Sequence, residues 1–337
     1  MKKFAGVIVG SLFVVFSFFM VSGNALAQQP SFVLKVGHDQ PENSSYHVGM
    51  VQFAKLVAER TGGKVKVEVF PTAQLGNEVK LLESVRLGTV DLATCGCANA
   101  STVVPELGFF SVSYLFAGQQ HFERAMAPDG EIMKIMEKMV ADKNAGARMV
   151  GLFTTGKRSI VNKVRPIKNT ADVKGMKIRV MASPIEQKVW TTLGAQPTSI
   201  PTPETYSALQ TGVVQAAENA PIIILGWKFY EPCKYYSLTE HQFFMAPVFM
   251  SEKTYQKLPA DLRNIVLKCI QEASVYERQQ DLQLNEKALE QLKTLGCLIN
   301  ADVDKDSFIS RLKGIQDETA AQMKVQNILN LIRKTRP

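Results

Sequence analysis

Apolar and polar positions change period several times along the chain, and these changes predict alternating strands and helices. Residues 78–87 have the spacing of an amphipathic helix, which Gly88 ends. An earlier helix begins near Asn43 and Ser44, which can cap it, and runs to about residue 59. The strands predicted in this half cover residues 33–36, 64–70 and 90–94. Strands and helices that alternate in this way predict a parallel sheet covered by helices.

The same alternation restarts after Gly151 and predicts a second unit. Its predicted elements are a strand over residues 177–180, a helix that Ser183 caps and that runs to about 193, a short helix over 203–210, and a strand over 213–217 that ends at Glu218 and Asn219. About 310 residues follow residue 27, which is more than a single hydrophobic core usually supports. We therefore expect an α/β protein with two units, each with its own core.

The tail of the chain contains a long segment without helix breakers. Between Pro259 and Gly296 lie 36 residues that include neither Gly nor Pro, and apolar residues recur there at helical spacing. One continuous helix of this length is roughly 50 Å long, which would carry it across both units. The alternative is two ordinary helices with a break near residues 278–281, where the segment is most polar. We favour the continuous helix.

The N-terminus predicts the compartment. Lys2 and Lys3 precede an uncharged, mostly apolar run over residues 4–21, and a small-residue site ends at Ala27. This order predicts a secretory signal peptide, residues 1–27, that is cleaved after Ala27. The alternative is an uncleaved membrane anchor, because the apolar run can nearly span a bilayer. The small-residue site and the lack of a basic flank favour cleavage, so we expect a periplasmic mature protein that is not embedded in the membrane.

Composition narrows the possible functions. Loss of the two leader lysines lowers the formal net charge from +8 to about +6, and the charges are mixed rather than clustered, which argues against a nucleic-acid partner. We expect a surface with a mild preference for anions. The cysteines and histidines have no metal-ligand or catalytic spacing, so we expect no metal, no cofactor and no enzyme activity. They are Cys95, Cys97, Cys233, Cys269, Cys297, His38, His47, His121 and His241.

Three polar residues of the second unit stand where ligands collect in α/β sheets, near the carboxyl ends of strands. Arg179 lies in an otherwise apolar strand segment, where its charge is costly unless it meets a partner. Arg158 follows a predicted strand segment over residues 152–155, and Asn219 follows the strand predicted over residues 213–217. A planar guanidinium can donate two parallel hydrogen bonds to a carboxylate. From spacing alone, Arg158 could equally be a surface charge, and Asn219 could simply shape a turn.

Several ordered motifs resemble the solute-binding proteins of tripartite ATP-independent periplasmic (TRAP) transporters, the DctP-like family. The resemblance extends over residues 32–335. Its most specific motifs are FPTAQLGNE (residues 70–78), LGTVD (87–91), VKGMKIRV (173–180), ETYSALQTGVV (204–214), AEN (217–219) and YYSLTEH (235–241).

The resemblance implies a type II periplasmic-binding-protein-like fold, with two α/β domains, a hinge and a long helix that spans both. The domains it implies are residues 31–154 with 244–283 and residues 155–243 with 284–337, and the ligand cleft lies between them. It also implies that Arg179 binds the ligand carboxylate, and that Arg158 and Asn219 assist. Asp39 and Glu78 match positions that face the cleft in relatives that bind hydroxylated acids, although solvated charge, or for Glu78 stabilisation of a helix N-terminus, explains them equally well.

The chain departs from the usual family pattern at five positions, which are Gly96, Cys97, Met181, Ala182 and Thr202. These departures alter the part of the pocket that contacts the rest of the ligand, so the sequence does not identify the ligand. We predict a periplasmic solute-binding protein that delivers a small organic acid (a hydroxy, keto or sugar acid) to a TRAP permease. The alternatives are a binding protein for an ATP-driven uptake system or a sensor, and a periplasmic enzyme that uses Cys95, Cys97 or a histidine.

Overall fold

The computed structural model describes residues 29–337 together with Met1 and Gly6. Apart from those two residues, the predicted signal peptide lies outside the described residues. Within the described part of the chain, no helix combines the length and the apolar composition that a bilayer span needs.

Strands and helices alternate as predicted, and they belong to two α/β units. The strands are β1 (Phe32–Gly37), β2 (Val65–Phe70), β3 (Leu92–Thr94), β4 (Ala147–Phe153), β5 (Lys157–Asn162), β6 (Lys177–Val180), β7 (Gln196–Ser199), β8 (Ala216–Asn219), β9 (Tyr235–Phe243), β10 (Ala246–Ser251) and β11 (Leu298–Asn300). The α-helices are α1 (Ser45–Arg60), α2 (Glu78–Leu87), α3 (Cys97–Ala100), α4 (Gln119–Ala125), α5 (Glu131–Asp142), α6 (Pro184–Thr192), α7 (Thr202–Thr211), α8 (Pro221–Gly226), α9 (Glu252–Lys257), α10 (Ala260–Thr294), α11 (Lys305–Arg311), α12 (Ile315–Met323) and α13 (Gln326–Lys334). Two 3₁₀ helices cover Pro105–Ser111 and Thr170–Val173.

The capping residues begin and end the helices where the sequence predicts. The side chains of Ser44 and Ser183 accept hydrogen bonds from backbone N–H groups in the first turns of α1 and α6. Gly88 ends α2 in the left-handed conformation, with φ 78°, that glycine adopts without steric cost. β8 is shifted from its predicted position. It begins three residues later than expected because the chain turns after α7, where Val213 is exposed.

The strands form one sheet in each unit. The first sheet has the order β2-β1-β3-β10-β4, and the second has the order β11-β9-β5-β8-β6-β7. β10 in the first sheet and β5 in the second run antiparallel to both of their neighbours, so the prediction of purely parallel sheets is wrong for these two strands. Each enters its sheet directly from a strand of the other unit. Parallel strands need a long crossover connection, usually a helix, and no such connection precedes β5 or β10.

The long tail helix is continuous. α10 runs for 35 residues and packs against α1 and β4 of the first unit and against α8 of the second. The continuous helix that we favoured is therefore confirmed, and the alternative break near residues 278–281 is wrong. After α10, α11 contacts the second 3₁₀ helix, whereas the last two helices return to the first unit, because α12 contacts the first 3₁₀ helix and α13 contacts α5. The domain boundaries given above stay a prediction.

Polar residues on one face of α10, around the predicted break, face the segment that joins β4 to β5. Thr154 N donates to Glu277 Oε2 at 3.1 Å, and Asn285 Nδ2 donates to Thr155 O at 3.0 Å. Asp281 lies between them on the same helical face. Glu277 and Asp281 are at most 1% exposed. The polar stripe therefore holds the chain where it passes from one unit to the other.

Replacing Asp281 with Asn is expected to reduce the pH dependence of stability. Burial raises the pKa of Asp281 to about 8, so the folded state binds a proton that the unfolded state releases near pH 4. This contribution to the free energy of unfolding is complete below pH 4 and is lost as the pH rises towards 8. Urea denaturation at pH 5 and pH 8 should show a smaller difference for Asp281→Asn than for the unmodified protein. The exposed Asp142→Asn is the control, and equal pH dependence in the Asp281 variant would contradict the assignment.

Candidate functional site

A cavity of about 280 Å³ lies between the two units. Residues of the first unit, including Asp39, Glu78 and Asn99, line one side. Residues of the second unit line the other, including Ala182, Ile200 and Thr202. The two sides are in contact, because Ala182 N donates to Asn99 Oδ1 at 2.9 Å. The cavity is therefore a cleft whose walls come from different units.

Arg179 lies on β6 and is bonded to the second-unit wall of this cleft. Its Nε donates to Ile200 O at 2.6 Å and its Nη2 donates to Thr202 Oγ1 at 3.1 Å. The side chain is buried, and its Nη1 has no hydrogen-bond partner among the described residues. Burial, followed by the nearby charge of Arg158, lowers the pKa of Arg179, but an arginine stays protonated at neutral pH. A buried cation with a free donor is costly unless an anion meets it.

Asp39 and Glu78 form the acidic side of the cleft. Both are buried, so the solvated-charge explanation is wrong for each of them. Glu78 Oε2 accepts hydrogen bonds from Gly96 N at 3.0 Å and from Asn99 Nδ2 at 2.7 Å, whereas Glu78 Oε1 has no partner within residues 29–337. Burial raises the pKa of both carboxyl groups, and the charge of Glu78 raises the pKa of Asp39 further. The site therefore favours at least one protonated carboxyl group.

Arg158 is buried and paired. Its Nε and Nη2 donate to the two carboxylate oxygens of Glu218 at 2.5 Å and 2.6 Å, and its Nη1 donates to Asn219 Oδ1 at 2.9 Å. His241 Nε2 lies 3.3 Å from Glu218 Oε2. Burial opposes ionisation, but the charge of Arg158 outweighs it and lowers the pKa of Glu218 to about 2. The surface-charge alternative for Arg158 is therefore wrong.

Asn219 ends β8 and contacts both the ion pair and the next helix. Its Oδ1 accepts from Arg158 Nη1 and from Ala220 N at 3.0 Å. The bond from Ala220 N agrees with the alternative explanation, in which Asn219 shapes a turn. Asn219 therefore shapes the turn before α8 and also orients Arg158. Arg158, Glu218 and Asn219 therefore form one cluster behind the cleft. The ligand-binding roles of these residues stay predictions.

Sequence reasoning missed Glu218, Asn99 and Gln40. Glu218 could have been found by the argument used for Arg179, because it is a charged residue flanked by Ala216, Ala217 and Ala220. Asn99 and Gln40 carry no comparable local signal. Cys95 and Cys97 are buried free thiols beside the cleft, and burial raises the pKa of both, which disfavours a reactive thiolate.

A larger groove of about 540 Å³ lies on another face and is lined by Lys157, Glu240, Lys305, Asp317 and Arg333. These charges already have partners. Glu240 pairs with Lys157 and Lys305, and Asp317 pairs with Arg333 at 2.7 Å. The smaller cleft is the candidate site because it combines buried polar atoms that lack partners with walls from both units.

Comparison with known proteins gives concordant matches. The family described as "Bacterial extracellular solute-binding protein, family 7" (DctP) matches residues 36–322. A 2,3-diketo-L-gulonate-binding periplasmic protein of Escherichia coli is 28% identical over 291 residues, which cover 86% of this chain and 87% of that protein.

Solved structures of TRAP periplasmic solute-binding proteins match the whole architecture. One from a Polaromonas species, bound to D-erythronate, is 30% identical with a TM-score of 0.85, and the match covers 89% of this chain and 98% of that one. Another from Sulfurospirillum deleyianum, bound to succinate, is 28% identical with a TM-score of 0.85, and the match covers 91% and 100%.

Proposed function

Because the chain belongs to family 7 of the bacterial extracellular solute-binding proteins, we propose that it captures a monoanionic hydroxy or sugar acid in the cleft and delivers it to a TRAP permease. The predicted resemblance to this family and the predicted type II binding-protein fold are confirmed. The family consists of solute-binding proteins rather than enzymes, which supports a binding role for this chain. We further propose that the mature form is periplasmic and not embedded in the membrane.

The observation that supports the proposal most strongly is the state of Arg179. Its guanidinium is buried beside the cleft with Nη1 unpartnered among the described residues. A ligand carboxylate at this atom would form a charge-assisted hydrogen bond and offset the cost of burying the cation. Arg158 and Asn219 assist indirectly, because the guanidinium of Arg158 is already paired with the carboxylate of Glu218.

Asp39 and Glu78 favour a ligand with one carboxylate and several hydroxyl groups. Glu78 Oε1 is buried without a partner in the described chain and can accept a hydrogen bond from a hydroxyl. A second carboxylate on the ligand would instead face a carboxyl pair that carries up to one negative charge, and like charges at short range cost several kcal/mol. Relatives include proteins bound to D-erythronate and to succinate. The acidic wall makes the erythronate type the better match for this chain.

Calorimetry with matched small molecules tests the proposal. D-Erythronate and D-glucuronate are expected to bind, whereas erythritol, which lacks the carboxylate, is not expected to bind. Succinate is expected to bind at least about 10-fold more weakly than D-erythronate. The double variant Asp39→Asn, Glu78→Gln should shift this ratio towards succinate by about 10-fold or more, because the repulsion is removed. Glu83→Gln on the exposed face of α2 is the control. Equal binding of erythritol and D-erythronate would contradict the proposed function.

A further inference from the structure

Gln40 and Trp227 join the two units by a hydrogen bond. Gln40 follows β1 in the first unit, and Trp227 follows the last residue of α8 in the second. Trp227 Nε1 donates to Gln40 Oε1 at 3.1 Å, across 187 positions of sequence. Gln40 is 5% exposed and Trp227 is partly exposed, so the bond is partly shielded from solvent. The contact therefore bridges the same two units that form the cleft.

The bond continues to the cleft wall. Gln40 Nε2 donates to Asp39 Oδ1 at 2.7 Å, and Asp39 lines the cavity. An indole N–H can only donate and a carboxylate oxygen accepts, so both partners require the same orientation of the Gln40 amide. The result is a chain from indole to amide to carboxyl group, with its inner end in the proposed ligand site.

Close packing supports the same contact. A Cβ atom at Gly226 would lie 3.0 Å from Asn43 Oδ1 and 3.1 Å from Pro41 Cγ. The end of α8 therefore packs closely against the loop after β1, and a larger residue at position 226 would require these neighbours to shift. α8 begins two residues after Asn219 and ends beside Trp227, so one short helix connects the cluster behind the cleft with the contact at Gln40.

We propose that Gln40 and Trp227 form a latch that holds the two units closed, and that Gln40 positions Asp39 for the ligand. The proposal rests on the proposed function, because it assigns how the captured acid is retained. A bond that joins the two units stabilises the form in which they are in contact and so slows release of the ligand. Gln40 and Trp227 are positioning residues, since neither lines the cavity.

Tryptophan fluorescence tests the latch in the full-length mature protein. The chain has two tryptophans, so Trp190→Phe leaves Trp227 as the sole reporter. In this background, Gln40→Leu is expected to increase acrylamide quenching of Trp227 in the ligand-free protein, because the indole loses its partner. Unchanged quenching would overturn the latch, and this measurement does not depend on which acid binds.

Kinetics with D-erythronate give the second measurement. Gln40→Leu and Trp227→Phe, which keeps the ring and loses the N–H, should each release D-erythronate about 3- to 10-fold faster, with an unchanged association rate. Trp227→Phe keeps the packing of the ring, so faster release from this variant separates the hydrogen bond of the latch from a general packing role. If both variants still bind D-erythronate but release it at the rate of the unmodified protein, the latch is contradicted. Failure of every panel acid to bind would instead contradict the proposed function and leave the quenching result to decide the latch.

Discussion

Replacing Arg179 with Met is expected to weaken binding of D-erythronate at least about 30-fold. Methionine keeps much of the side-chain volume but removes the charged donors, and truncating one partner of a buried, hydrogen-bonded charge pair costs roughly 2–5 kcal/mol. Arg179→Lys keeps a charge without the planar fork, so an intermediate loss is expected. Isothermal titration calorimetry measures both variants against the unmodified protein.

The matched control is Lys177→Met on the same strand. Lys177 is exposed at the start of β6, two residues from Arg179, so this variant removes the same charge from the second unit without touching the cleft. We expect D-erythronate to bind it with unchanged affinity. If Arg179→Met binds D-erythronate as tightly as Lys177→Met does, Arg179 does not hold the carboxylate.

Glu218→Gln is expected to destabilise the protein by about 3–5 kcal/mol, because it leaves the buried Arg158 without a counter-charge. The two side chains are only 2% and 1% exposed, so water cannot replace the lost partner. The pKa of Glu218 is lowered to about 2. The difference from the unmodified protein should therefore be complete above about pH 4.5 and shrink as the pH falls towards 2. Urea denaturation at several pH values measures it.

An exposed pair that also makes two hydrogen bonds provides the control. Arg60 donates to both carboxylate oxygens of Glu272 at 2.6 Å, but these side chains are 40% and 52% exposed. Glu272→Gln should change the free energy of unfolding far less than Glu218→Gln, because solvent screens the exposed pair. The double variant Arg158→Met, Glu218→Leu should recover much of the loss. Equal effects of the Glu218 and Glu272 variants would contradict the importance of burial.

Part of the candidate site could be predicted from single positions. Arg179 stands out because a cation within an apolar strand requires a partner, and this reasoning uses only its neighbours in sequence. Arg158 was ambiguous, since Lys157 beside it made a turn-like surface segment equally plausible. Its burial results from the register of β5 against β8, which places Ser159 opposite Asn219 and Ile160 opposite Glu218. The residues close to Arg158 in sequence do not predict that register.

Local sequence patterns were enough to predict the α/β class, the helix caps at Ser44 and Ser183, the stop at Gly88 and the unbroken segment that forms α10. These features depend on interactions within one or two turns of the chain, so periodicity and capping residues encode them directly. Long-range contacts determine the antiparallel entry of β5 and β10, the pairing of Arg158 with Glu218 and the bond between Gln40 and Trp227. The last two contacts join positions 60 and 187 residues apart. They form only when the order of strands brings the two units together around the cleft.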